Sequence, residues 1–150
     1  MIALSVMILG EPVGEGRPRA FLRKGTRKIA MHAAPKSREW RQMAAKQLAL
    51  AWGKPASTNV YAMEVIAVMP RPKTKPIAVS KDEWKAGKPI KRAQKPDVDN
   101  LLKSCMDALV DGAVIHDDTQ IYRAVVTRYT ATEGQGSSVK ITLVEASSNV

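Results

Sequence analysis

Apolar positions along this chain change their period several times, and each change marks an element. Residues 2–9 (IALSVMIL) form a nearly continuous apolar run stopped by Gly10 and Pro12, as in a buried strand. Apolar pieces around 20–22 and 28–30 flank Lys24-Gly25 and predict a small hairpin. From 36 to 52 the period becomes helical: Trp40, Met43, Ala44, Gln47, Leu48 and Ala51 recur on one stripe. Pro35 precedes that helix, Ser37 is its N-cap, and Gly53 and Pro55 stop it. Residues 58–69 alternate with period two, and both faces are mainly apolar, which predicts a central strand. A second helix, 99–110, has Leu101, Leu102, Cys105, Ala108 and Leu109 as its apolar face and ends at Asp111-Gly112. After a short apolar piece at 113–116, strands are predicted at 120–129 and 138–145. The 130–138 segment, with Gly134 and Gly136, would join them as a hairpin. This order predicts an α/β (α+β) fold, with a mixed or largely antiparallel sheet packed with two main helices.

The stretch 70–96 follows none of these periods. It holds five prolines and nine basic residues against Asp82 and Glu83, a net +7. Residues 80–85 can make one helical turn, with Ser80 as N-cap and Glu83 as its capping-box partner. A basic loop of this length inside a compact domain is expected to be mobile when free and ordered on a polyanion. With 150 residues the chain is most simply one domain, 1–150, large enough to bury roughly 70% of its unfolded surface without a disulfide or structural metal.

Charge sharpens the picture. The net charge is +10, with a pI near 10.0, which favours nucleic acid or an anionic surface as partner. Yet six of the seven aspartates fall in one 22-residue window: Asp97, Asp99, Asp107, Asp111, Asp117 and Asp118. Lys103 is the only basic residue among them, so the window carries −5 and the rest of the chain +15. An acidic focus in a basic protein suits a metal site ringed by a polyanion-binding surface, as a nuclease requires. The apolar run at 2–9 is too short to span a bilayer and lacks a basic segment before it, so a soluble cytoplasmic protein with no membrane partner is expected. The single cysteine, Cys105, fits a reducing compartment and reads as a small core residue.

If 95–99 is extended, Asp97 and Asp99 share a face, Val98 points to the core, and Asp99 or Asn100 caps the helix that follows. Asp99, Lys103 and Asp107 then lie along one polar edge at i, i+4 and i+8. A reversal after His116 can return Asp117 or Asp118 to the Asp97/Asp99 junction. Three or four hard oxygens there would suit Mg²⁺, with Mn²⁺ as a substitute. Asp111 reads as a turn residue, Asp107 as solvent-facing, and His116 as a structural or solvent position. Two histidines and one cysteine do not supply a zinc site, and no phosphate-binding glycine loop or Ser/His/Asp motif is present.

The window KPDVDNLLKSCMDALVDGAVIHDDTQI closely resembles the signature of the RusA family of Holliday junction resolvases of bacteria and their phages. That signature is D-x-D-N-L-x-K, then D-A-L, a variable turn, an apolar pair and D-D-x-Q-[IV]. Its positions fall here on Asp97, Asp99, Asn100, Leu101, Lys103, Asp107, Ala108, Leu109, Asp117, Asp118, Gln120 and Ile121. Outside the window the resemblance is architectural, and the opening loop is basic where the family usually has proline and asparagine. The resemblance implies a small RusA-like fold active as a homodimer, with Asp97, Asp99 and Asp118 as catalytic metal ligands. It also implies Lys103 as the essential lysine and Asp117 as a supporting candidate. It further implies Mg²⁺-dependent hydrolysis of four-way or other branched DNA by paired symmetric nicks, in recombination and repair. The setting would be the nucleoid of a bacterial cell or phage-infected host. A two-fold dimer would match two equivalent strands with two equivalent sites. Arg17, Arg19, Arg23, Lys24, Arg27 and Lys28 on one loop, and Arg71, Lys73, Lys75, Lys91, Arg92 and Lys95 on the other, would grip the phosphate backbones. Trp84 or Phe21 would stack at the junction centre. The competing readings are a broader branched- or single-strand-selective nuclease, a non-catalytic nucleic-acid-binding protein that retains the fold, and a basic RNA-binding factor. The last lacks an aromatic platform.

Overall fold

The computed structural model of the chain describes residues 1–13, 19–22, 29–32, 35–71, 80–85, 90–91 and 97–147, with 19–22, 29–32, 35, 83 and 90–91 described by backbone alone. The strands are β1 (Ile2–Leu9), β2 (Arg19–Leu22), β3 (Ile29–His32), β4 (Tyr61–Met69), β5 (Ile90–Lys91), β6 (Ile121–Thr130) and β7 (Ser138–Glu145). The helices are α1 (Pro35–Trp52), α2 (Lys81–Lys85) and α3 (Val98–Asp111), and Asp118–Gln120 forms a single 3-10 turn. β2 and β3 pair as the expected antiparallel hairpin, Phe21 opposite Ala30. The other five strands make one mixed sheet in the order β1-β7-β4-β6-β5. β4 runs parallel to β6 and antiparallel to β7; the β1–β7 and β5–β6 pairs are antiparallel.

β4 sits in the middle, as its two apolar faces require. Its Tyr61, Met63, Val65 and Ala67 are buried together with Val139, Ile141 and Leu143 of β7 and Leu4 and Ile8 of β1. Over this face α1 contributes Trp40, Ala44, Leu48 and Trp52, and α3 contributes Leu101, Cys105, Ala108 and Leu109. Burial pushes the Cys105 thiol up to about 12, so it stays a protonated core group. Among the described residues no helix is long and apolar enough to cross a membrane.

Four expectations are corrected. β6 and β7 are not a hairpin, because β4 lies between them. The connection crosses the end of β4, where the Ala131 N–H donates to the Met69 carbonyl at 2.7 Å. Second, α1 begins at Pro35, which supplies its fixed φ and missing N–H to the first turn; Ser37 is inside the helix and buried rather than capping it. Met43 and Ala51 face solvent, and the buried stripe runs through Ser37, Trp40, Ala44, Ala45, Leu48 and Trp52. Third, α3 begins at Val98 with Asp97, not Asp99 or Asn100, as its N-cap; Val98 is 40% exposed and outside the core. Fourth, the basic stretch is not all loop: besides the expected turn of α2, Ile90 and Lys91 add an edge strand opposite Thr130 and Tyr129.

Candidate active site

α3 carries most of the acidic window. At its entry the Asp97 backbone is extended, and its carbonyl accepts the Leu101 N–H at 3.0 Å. Its carboxylate makes no capping bond and stays exposed. Asp99 lies in the first turn, exposed, where the positive end of the helix dipole favours a carboxylate. One turn on, the Lys103 ammonium stands 3.9 Å from Asp107 Oδ2, as the i, i+4 spacing predicts.

Asp107 and Asp111 do more than face solvent or make a turn. Arg41 reaches from α1 to both: its Nε lies 2.9 Å from Asp111 Oδ2, and its Nη1 lies 3.7 Å from Asp107 Oδ2. Its position on α1, far outside the motif, hid this partner. The i, i+4 relation of Asp107 and Asp111, continuing the Asp99–Lys103 edge, was the available signal. The helix then ends in a Schellman motif. The Ala113 N–H bonds the Val110 carbonyl and the Val114 N–H bonds the Leu109 carbonyl, both at 3.0 Å, with Ala113 at φ +54°. Val114 and Ile115 are buried, and Ile115 bridges in parallel to Ser57 just before β4.

That bridge delivers the next carboxylates. Asp117 caps the 3-10 turn, its Oδ1 accepting the Thr119 N–H at 2.8 Å. This bond, helped by the Thr119 side chain and by Asp118, holds the Asp117 carboxyl below the ordinary carboxylate range. His116 is exposed, and its backbone N–H is tied to Gln120 at 2.7 Å. Asp117 and Asp118 face α3 across a cleft of about 200 Å³ lined by Asp107, Val110, Asp111, Asp117 and Asp118.

The six carboxylates therefore differ in what they have left to offer. Asp107 and Asp111 are engaged by Arg41 and Lys103, and Asp117 by the N–H it caps. Among the described residues, Asp97, Asp99 and Asp118 have no protein cation or N–H donor on their side chains; Asp118 interacts only with Asp117. They are not gathered within the chain. Asp97 and Asp99 lie at the start of α3. Asp118 lies beside residues eight or more positions further on, about 12 Å along the axis from Asp99 to Asp107. Among the described residues no three His, Cys, Asp or Glu side chains converge closely enough to hold one ion.

Of the expected phosphate-binding residues, Arg71 is placed with its guanidinium 5.0 Å from the centre of the half-buried Trp84 ring. Arg19 and Lys91 are fixed in backbone by β2 and β5. Arg17, Arg23, Lys24, Arg27, Lys28, Lys73, Lys75, Arg92 and Lys95 lie outside the described residues, and the Phe21 side chain does too.

A mixed sheet backed by two helices, with exposed carboxylates on a strongly basic chain, defines the class as a small, basic α+β domain. Residues 10–142 match the family Endodeoxyribonuclease RusA. The chain is also 33% identical over 134 residues to Uncharacterized protein YqaN of Bacillus subtilis (strain 168), covering 89% of this chain and 92% of that protein. The protein belongs to the RusA family of endodeoxyribonucleases, whose activity is cleavage of branched DNA at Holliday junctions in recombination.

Proposed function

We propose that the protein resolves four-way DNA junctions as a homodimer, by paired symmetric nicks that depend on Mg²⁺, with Mn²⁺ as a substitute. The observation that carries this reading is the sorting of the window. The three carboxylates that match the family's catalytic positions, Asp97, Asp99 and Asp118, are those left without a protein cation or N–H donor among the described residues. Hard, exposed carboxylate oxygens fit a small divalent ion. Such an ion, when bound, would polarise the scissile phosphate and ease deprotonation of an attacking water.

The remaining roles belong to the chain. Lys103, steered by Asp107, keeps a positive charge on the same helix edge as Asp99, where it can meet a phosphate oxygen and the charge that develops on it. The basic segments before α1 and between β4 and α3 hold the diverging backbones, so affinity falls with salt. Because Asp97/Asp99 and Asp118 stand apart along α3, we infer a site shared between subunits. A two-fold pairing that sets the entry of α3 in one copy against the 117–118 turn of the other completes two sites at once. The absence of a converged ligand set among the described residues of one chain is what favours this pairing. The natural setting of this activity is the cytoplasm at the nucleoid of a bacterial or phage-infected cell.

The test is incubation of the purified protein with a synthetic mobile four-way junction, with and without Mg²⁺. Paired symmetric nicks are expected only with the metal. Asp99→Asn and Asp118→Asn should each lower cleavage by more than about 100-fold, the upper range for losing a partner one shell further out. Junction binding should persist or tighten, since each change makes the protein more positive. Cleavage that survives Asp97→Asn combined with Asp99→Asn would remove the site assignment.

A further inference from the structure

We propose that Gln120 is a positioning residue that sets where Asp118 presents its carboxylate. The inference rests on the nuclease reading and deepens it. Gln120 uses all four hydrogen-bonding positions of its amide. Its Oε1 accepts the backbone N–H groups of His116 and Asp117, at 2.7 and 3.1 Å. Its Nε2 donates to the backbone carbonyls of Ser57 and Asn59, at 2.7 and 2.8 Å. Two donors at one end and two acceptors at the other admit a single amide orientation. No other side chain of this length offers both.

The anchor is itself fixed. Ser57 Oγ accepts from the Tyr61 hydroxyl at 2.6 Å, and the Asn59 amide donates to Glu145 at 2.7 Å. The Trp52 indole N–H donates to the Pro55 carbonyl at 3.0 Å, and the Ser57 N–H bonds the Val114 carbonyl at 2.9 Å. Gln120 thus ties the 116–118 turn to a segment held at once by α1, β4 and β7. Asp117, with its own cap on Thr119, locks the turn from the other side. The Asp118 carboxylate, which has no N–H donor of its own among the described residues, takes its place from these two supports. Supports of this kind, one shell behind a metal ligand, typically carry about 10–100-fold in metal affinity.

The experiment compares the wild-type protein with Gln120→Ala and Gln120→Glu. Glutamate keeps the acceptor oxygens and the size but turns an anion toward two carbonyls, so it should behave as alanine does. The Mg²⁺ concentration for half-maximal junction cleavage should rise about 10–100-fold in both variants. Much of the rate should return at saturating metal, and metal-free junction binding by Gln120→Ala, which changes no charge, should stay at the wild-type level. The rise in unfolding temperature on adding Mn²⁺ should shrink in both; this readout needs no cleavage. If Gln120→Ala does not fold, Gln120→Glu decides. An unchanged metal requirement, or a fall in rate with no change in metal dependence, overturns the proposal. A wild-type protein that binds Mn²⁺ but cuts nothing would instead count against the nuclease reading, and the Mn²⁺-linked stabilisation would still decide the role of Gln120.

Discussion

Asp117 and Asp118 are neighbours with different work. Asp117 spends its carboxylate on the Thr119 N–H, and Asp118 does not. Asparagine caps a helix about as well as aspartate. Asp117→Asn should therefore keep junction cleavage within a few-fold of wild type, where Asp118→Asn should lower it by more than about 100-fold. The same pair predicts a pH effect. A carboxylate whose folded-state pKa is lowered contributes stability above its unfolded pKa and loses it as pH falls through the folded value. The Thr119 N–H lowers Asp117 in this way, so its cap should hold through the ordinary carboxylate range and fail only at more acid pH. Unfolding temperatures measured from about pH 5 down to 2 should fall less steeply in Asp117→Asn, which has no proton to take up there. Parallel curves for the two proteins would show that Asp117 does not act as the cap.

At the scale of the element, the end of α3 places its glycine where the sequence does not suggest. Asp111-Gly112 reads as a stop, and a helix stop of this kind commonly puts its glycine in the left-handed position. The left-handed position instead falls on Ala113, at φ +54°, and Gly112 serves close packing. A Cβ on Gly112 would stand 2.7 Å from the Ala45 carbonyl oxygen of α1 and 3.1 Å from that of Ala108. Gly112→Ala should therefore push α1 and α3 apart and destabilise by about 1–3 kcal/mol. Ala113→Gly should relieve the left-handed alanine and stabilise by about 1 kcal/mol. Opposite signs in chemical denaturation check the assignment, and a stabilising Gly112→Ala would refute it. The pattern explains what was legible. Periodicity located α1, β4, α3 and the strands, because each buries one face or two. It could not say that β4 lies between β6 and β7, since a seven-residue connection serves a hairpin or a crossing equally well. It placed Val98 in the core because it took the backbone through Asp97 and Asp99 as extended; a helix starting at Val98 turns that side chain outward. In the site, spacing left Asp117 and Asp118 as alternatives beside Asp97 and Asp99, and only the resemblance to the family signature singled out Asp118 and Lys103. Arg41 and the Gln120 anchors at Ser57 and Asn59 come from distant segments, and only the fold brings them in.

For the whole molecule, the decisive question is whether one chain or two make each site. Within one chain, Asp97 and Asp99 lie at the entry of α3, and the 117–118 turn faces the far end of that helix, around Asp107 to Asp111. If each site combines Asp97 and Asp99 of one subunit with Asp118 of its partner, two inactive variants can repair each other. In a heterodimer of Asp99→Asn and Asp118→Asn, one site receives both substitutions and the other neither. Random exchange of an equal mixture gives about half heterodimers, each with one intact site. The mixture should then cut junctions where neither variant alone does. Its products should be single nicks in place of symmetric pairs, because the second site of every heterodimer is doubly disabled. A site built within one subunit predicts the reverse, since every subunit in the mixture keeps its own lesion and no cleavage returns. Co-expressing the two variants with different affinity tags and purifying through both isolates the heterodimer, and the nicks it leaves on each strand can be read on a denaturing gel. Single-strand nicking by that species would show that the sorting of carboxylates along α3 is a division of labour between two copies of the chain. Inactivity of a heterodimer that still binds the junction would return all three carboxylates to one subunit, and would require the turn at 117–118 to move toward the start of α3 when metal or DNA arrives.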